Sequence, residues 1–186
     1  MGKKKHEDDK GAYKEIPLSA PNWFANNPIW SFQAFAEHIH NQARQVLVKD
    51  GFHAEMLFFL GLDGKGSIVL PHDNDRDRVA KYARDRIERD YAYGVIHISE
   101  CWMRWADGPN DHILNQVIAG EIRVSELNPE HRKEVLTVCA QSRDGYSMNW
   151  IDEIVRDEKK VVKGFGEARK FGGTEGLEGR FGKLFG

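Results

Sequence analysis

The chain has 186 residues, a length that suits one domain of ordinary size, and 40% of them are hydrophobic and 30% charged, which excludes a chain disordered or fibrous throughout. Twenty-seven Lys plus Arg against 29 Asp plus Glu leave a formal charge of -2, a balance that speaks against a nonspecific nucleic-acid coat and against an anionic-membrane binder. Two cysteines are too few for a disulfide framework, no apolar run approaches a membrane span, and the charged start is followed by no apolar stretch of a secretion signal, so the expected compartment is the cytoplasm.

Residues 1–28 mix Lys3, Lys4, Lys5, Glu7, Asp8, Asp9 and Lys10 with Pro17, Pro21 and Pro28, and the absence of a period predicts a flexible arm. The folded unit is expected over residues 29–163. Trp30, Phe32, Phe35, Ile39, Ala43 and Val46 are spaced mostly by three and four residues, predicting a helix that ends at Asp50-Gly51, where glycine suits a left-handed cap. Two apolar runs, 53–60 and 67–70, flank Asp63-Gly64, the dipeptide of a tight hairpin. Pro71 stops the second strand, and Asn74 or Asp75 caps a helix whose stripe is Val79, Tyr82, Ala83, Ile87 and Tyr91.

Residues 95–105 predict a long strand with His97, Ser99 and Cys101 on one face and Ile96, Ile98, Glu100, Trp102 and Arg104 on the other. A break at 107–110 precedes a short helix at 111–119. Strands at 130–142 and 146–156 join through Arg143-Asp144-Gly145. Residues 164–186 hold eight glycines interleaved with Phe165, Phe171, Phe181 and Phe185, which predicts a flexible Gly/Phe-rich tail. The fold class expected is α+β: a mostly antiparallel sheet of about five strands, order α-β-β-α-β-β-β, with two long helices on one face.

The segment Ile98-Ser99-Glu100-Cys101-Trp102-Met103, with residues 126–135 downstream, resembles a family of small bacterial and mobile-element proteins that carry a Ser-Glu-x-Trp-Met strand and a loop with His, Arg and Glu at similar spacing. The resemblance supplies no activity. It directs attention to Glu100, Trp102, His131, Arg132 and Glu134.

Glu100 is a carboxylate in a partly apolar row, so its pKa rises unless a cation answers it. It is a candidate acid, base or metal ligand, with His97 and His131 as possible helpers; the structural alternative is a pair with Arg104, Arg132 or another arginine at the sheet edge. Glu55 and the Gly94-Val95-Ile96-His97-Ile98-Ser99 strand are similar to the metal-dependent isopeptidases, but Ser99 stands where the second histidine is needed. His-x-Glu with Cys-x-x-Cys, the zinc deaminase set, is missing. Alternating polar residues at His72, Asp73 and Asp75 are a candidate cation site that lacks the glycine and glutamate of a calcium loop; helix capping is the competing explanation.

Two functions follow. The first is a non-catalytic intracellular interaction or accessory module with no cofactor and another protein as partner, bound through the core surface at Trp102, Arg132 and Glu134 and through a tail whose Phe181, Leu184 and Phe185 have the spacing of a groove-binding helix. The alternative is a small metal-assisted hydrolase built on Glu100 and nearby histidines.

Overall fold

The computed structural model describes residues 13–19, 26–72, 75–108, 110–173 and 184–185. Its elements in chain order are β1 (Tyr13–Ser19), α1 (Pro28–Asp50), β2 (Met56–Leu60), β3 (Lys65–Pro71), α2 (Arg76–Asp90), β4 (Gly94–Met103), α3 (His112–Ile118), β5 (Lys133–Ser142), β6 (Ser147–Arg156) and β7 (Val162–Gly172). The strands make one sheet in the order β1-β3-β2-β4-β5-β6-β7, antiparallel at every junction. The α+β class and the antiparallel sheet agree with the sequence reading, but the strand count is seven rather than five.

The two added strands come from segments expected to be flexible. Tyr13–Ser19 pairs with β3 from Tyr13↔Pro71 to Ser19↔Lys65; it is an edge strand, where Pro17 costs no ladder bond. At the other end, glycine-spaced Val162–Gly172 pairs with β6 through a bulged register. Phe181 lies outside the described residues, whereas Leu184 is only 4% exposed.

A second correction concerns the helices, which cover opposite faces. The apolar runs of β2 and β4 bury both their rows, so each face needs a roof. Phe58, Leu60, Ile96 and Ile98 pack with Phe32, Phe35, Ala43 and Leu47 of α1; Leu57, Phe59 and Val95 pack with Val79, Ala83 and Ile87 of α2. Asn27 caps α1 by accepting a hydrogen bond from Trp30 N at 3.4 Å, Pro28 occupies its first turn, and Gly51 closes it at φ 82°. Trp30, expected on the buried stripe, is exposed, and so is Tyr91, which closes α2 in the left-handed region. Gly94 lets α1 come close: a Cβ there would stand 2.3 Å from the Phe32 ring.

Polar clusters tie each roof to the sheet. Below α1, His40 Nε2 lies 2.6 Å from Asp152 Oδ2 and stacks on Trp150, while Arg44 reaches the other Asp152 oxygen at 3.4 Å. Asp152 is 2% exposed, so these two partners supply the compensation a buried carboxylate requires. Below α2, Arg86 bonds both carboxylate oxygens of Glu15 on β1, Ser67 on β3 and Asp90 one turn along its own helix.

Candidate functional site

β4 is twice as long as β2. The β2–β4 ladder runs from Leu60↔Gly94 to Met56↔Ile98, while β5 pairs with β4 as far as Met103↔Lys133. Residues 99–103 therefore continue the sheet with a ladder partner on one side. A cleft of about 900 Å³ lies against this end, lined by Glu100, Cys101, Trp102 and Glu134 from the sheet, Asp75 and Asp77 from the start of α2, and Val117, Arg123, Val124 and Ser125 from the excursion between β4 and β5.

That excursion is fastened at its root. Arg104 donates to Asp107 at 3.0 Å, to Asp111 at 2.8 Å and to the His131 carbonyl at 3.2 Å. Backbone N–H groups of Asp107 and Leu114, with Arg104, hold the Asp111 carboxyl down at about 2, and Asp111 caps α3 through Leu114 N at 2.9 Å. The cleft wall thus has a charged clamp at its root.

Glu100 faces the α1 side, as the strand alternation requires. Burial raises its pKa, the backbone N–H of His53 and the Arg156 charge oppose the rise, and Glu134 adds to it. Its arginine is Arg156, not Arg104 or Arg132. Arg156 donates to Glu100 Oε2 at 3.2 Å, to both Glu134 oxygens at 2.9 Å, to the Gly51 carbonyl at 2.7 Å and to the Lys160 carbonyl at 3.3 Å. One guanidinium therefore joins the ends of α1, β4, β5 and the β6–β7 turn, with a fork geometry that a lysine would not reproduce.

Trp102 sits opposite Glu134 in the β4–β5 register. Its ring is 42% exposed, and the Arg132 guanidinium lies 4.3 Å from the ring centroid, a cation–π contact. Arg132 also donates to the Ser125 carbonyl on the opposite cleft wall. Trp102, Arg132 and Glu134, singled out in the sequence, are thus brought together with Glu100.

The hydrolase set is not assembled. His97 lies on the other face of β4, 2% exposed, with Nε2 2.7 Å from Glu55. His131 belongs to a 3-10 turn, Pro129–His131, and not to β5; its ring lies 3.5 Å from Glu130. Ser99 bonds Thr137 at 2.9 Å, and burial pushes the Cys139 thiol up to about 12, far from a nucleophile's range. Asp75 caps α2 by accepting from Asp77 N at 3.0 Å and Arg78 N at 3.3 Å, His72 is exposed, and Asp73 lies outside the described residues. Among the described residues no group of three His, Cys, Asp or Glu side chains could hold a metal ion.

Sequence reasoning missed Arg156, His53 and the His40–Asp152–Arg44 cluster. For the last a signal existed: His40 and Arg44 are four apart on α1, on the side that carries Phe32, Ala36 and Ala43. For Arg156 none did, because its partners come from four separate elements.

Among the described residues no helix is long and apolar enough to cross a membrane. Comparison with curated proteins and with solved structures finds no match. A family model described as bacteriophage lambda protein ea47 matches residues 2–176, which agrees with the mobile-element character expected from the Ser-Glu-x-Trp-Met strand and leaves that motif itself untested. Spanning nearly the whole chain, the match carries the cleft, both helical roofs and all seven strands with it: the chain belongs to the bacteriophage lambda protein ea47 family.

Proposed function

We propose that this is a non-catalytic phage accessory protein that works in the cytoplasm by binding another protein at the Trp102 cleft. The observation that carries this reading is the Trp102–Arg132 pair: an exposed indole, held from one side by a guanidinium, at a cleft wall. Tryptophan and arginine concentrate binding energy in protein interfaces, above all where a pocket lies beside them. Arg156 supports the same reading, because it orients the Glu100 and Glu134 carboxylates as fixed acceptors rather than leaving them to chemistry. The tail's part in the expected function contracts, since Leu184 is already buried in the protein's own core.

The experiment is cross-linking in phage-infected bacteria with three tagged full-length forms: wild type, Trp102→Ala and Trp30→Ala. Trp30 is the control because it is exposed on α1, away from the cleft. The expected result is a protein captured by wild type and Trp30→Ala and lost with Trp102→Ala; identical capture by all three overturns the proposal.

The hydrolase reading keeps one observation, a cleft carboxyl whose pKa burial raises, as a general acid requires. Hydrolysis of ester or peptide substrates by wild type and its loss in Glu100→Gln would favour it over the binding reading.

A further inference from the structure

The strands at the two outer edges of the sheet differ in what they offer a neighbour. β1 carries Pro17, which has no N–H to give to a further strand. β7 pairs with β6, and among the described residues no other strand covers it. Its register runs unbroken from Asp152↔Ala168 to Met148↔Gly172, and one residue further Gly173 N donates to Ser147 O at 3.0 Å. Alternate residues of an antiparallel strand turn their backbone groups to opposite sides. Arg169, Phe171 and Gly173 therefore address β6, while Ala168, Lys170 and Gly172 turn theirs outward.

The side chains around Ala168 are arranged symmetrically in charge. Glu167 and Arg169 flank it on one face of the sheet, where Arg169 Nε donates to Glu167 Oε1 at 2.7 Å; their side chains are 48% and 36% exposed. The Arg169 guanidinium is held over the Trp105 ring, 3.9 Å from its centroid. Turned about a two-fold axis through Ala168, this edge meets itself with Glu167 opposite Arg169 twice, and the two Ala168 residues exchange backbone hydrogen bonds. Opposite charges directly across a ladder stabilise it and like charges destabilise it. An axis through Lys170 would set two lysines against each other, and one through Gly172 would carry Glu167 and Arg169 past the end of β7. The register shift between Asp152 and Ile154 keeps the contact short.

The helical roofs allow the approach. His40 of α1 bonds Asp152 and stacks on Trp150, which places α1 over β6. The α1 of a second copy would lie over its own β6, three strand spacings away, about 14 Å, beyond the separation of about 8–10 Å at which helices pack. We propose that the outer edge of β7 is a binding site for a second copy of this chain, the two β7 strands joining antiparallel about Ala168 with Glu167 of each copy against Arg169 of the other. A self-complementary patch of this kind is what a two-fold dimer requires. The site is separate from the Trp102 cleft and stands or falls independently of the binding function proposed there.

The test is sedimentation of the full-length chain from micromolar to millimolar concentration. Wild type is expected to move from monomer toward dimer. Glu167→Lys and Arg169→Glu each turn both charge contacts repulsive and are expected to weaken association by about tenfold or more. An equimolar mixture of the two variants is expected to associate like wild type, because every contact between positions 167 and 169 again joins opposite charges. Wild type that stays monomeric, single variants that associate as wild type does, or a mixture no more associated than its components overturns the proposal. Should Arg169→Glu fail to fold by circular dichroism, having lost its Trp105 contact, Ala168→Pro replaces it. That variant removes the outward N–H and leaves the β6 ladder in place; its loss of association supports the site, and association equal to wild type overturns it.

Discussion

One face of the sheet is roofed by α1, 23 residues long, whose buried side chains meet β2, β4, β5, β6 and β7; the other has α2, 15 residues long, whose partners are in β2, β3 and the start of β4. The shorter roof is completed by pieces from elsewhere. Tyr13 of β1 stacks on Tyr82 at 3.9 Å, Glu15 holds Arg86, Leu184 fills the seat beside Val79, and Trp105 lies over Arg169 of β7 at 3.9 Å. A seven-stranded sheet is wider than a four-turn helix can cover. The area left over recruits segments whose own sequence shows no periodic apolar face.

The largest expected effect tests the long roof. Asp152→Ala leaves His40 and Arg44 beneath α1 without their carboxylate and is expected to lower stability by about 3–5 kcal/mol. The His40→Ala and Asp152→Ala losses should be less than additive in the double mutant. Urea midpoints measure both, and a loss below about 1 kcal/mol would show that α1 is held by apolar packing alone.

Leu184→Ala tests the borrowed roof. Removal of a buried leucine side chain usually costs about 2–5 kcal/mol, the loss expected for Leu184, which is 4% exposed. An unchanged melting curve would return this segment to the status of a free tail.

A smaller effect belongs to the Glu15–Arg86 pair. Arg86 holds the Glu15 carboxyl below its usual range, so the pair's stabilisation is present above the ordinary glutamate value and is lost as pH falls through the lower folded value. With Glu15 half exposed, Glu15→Gln should cost about 1 kcal/mol or less at pH 7, and the difference from wild type should vanish in strong acid. A pH-independent difference would mean that the charge does not hold β1 in place.

Glu100→Gln marks where the α1 roof stops, and its sign is opposite. Burial raises the Glu100 pKa above its ordinary 4.5, so the carboxyl's contribution is fully present below about 4.5 and is lost as pH rises through the raised value. Relative to wild type, the glutamine variant should gain stability between pH 4 and pH 7, read as a widening gap in urea midpoint. A gap that narrows with pH would mean that Arg156 outweighs burial. Least of all, Trp102→Ala should change stability by under about 1 kcal/mol, since the side chain lies at the protein surface, 42% exposed, outside both apolar clusters of the core; a larger loss would make Trp102 a structural residue and undercut its role as a binding contact.

What the sequence made legible follows from how local each feature is. The α1 boundary, the Asp63-Gly64 hairpin and the two-faced row of β4 depend on neighbours a few residues apart, and the structure has them. β1 was hidden because Lys14, Glu15 and Pro17 look like arm residues until Arg86 and the β3 ladder are present. β7 was hidden by Gly164 and Gly166, the second of which passes so close to β6 that a Cβ there would stand only 3.1 Å from the Glu153 carboxylate. At the cleft, Trp102 and Glu134 follow from the pairing of two strands, whereas the arginine that governs Glu100 required the register of a third.

The unequal lengths of β2 and β4 also bear on how the chain folds. β2–β3 and β5–β6–β7 are hairpins closed by short turns, local enough to form early. β4 is joined to neither by such a turn: α2 separates it from β3, and residues 104–132 separate it from β5. Closing loops of this size costs entropy before any contact rewards it, so β4 is the seam at which two locally formed halves meet, and its docking is expected to limit the folding rate. Until β4 docks, both halves present open hydrogen-bonding edges in the middle of the future sheet, the moment at which pairing with another chain is easiest.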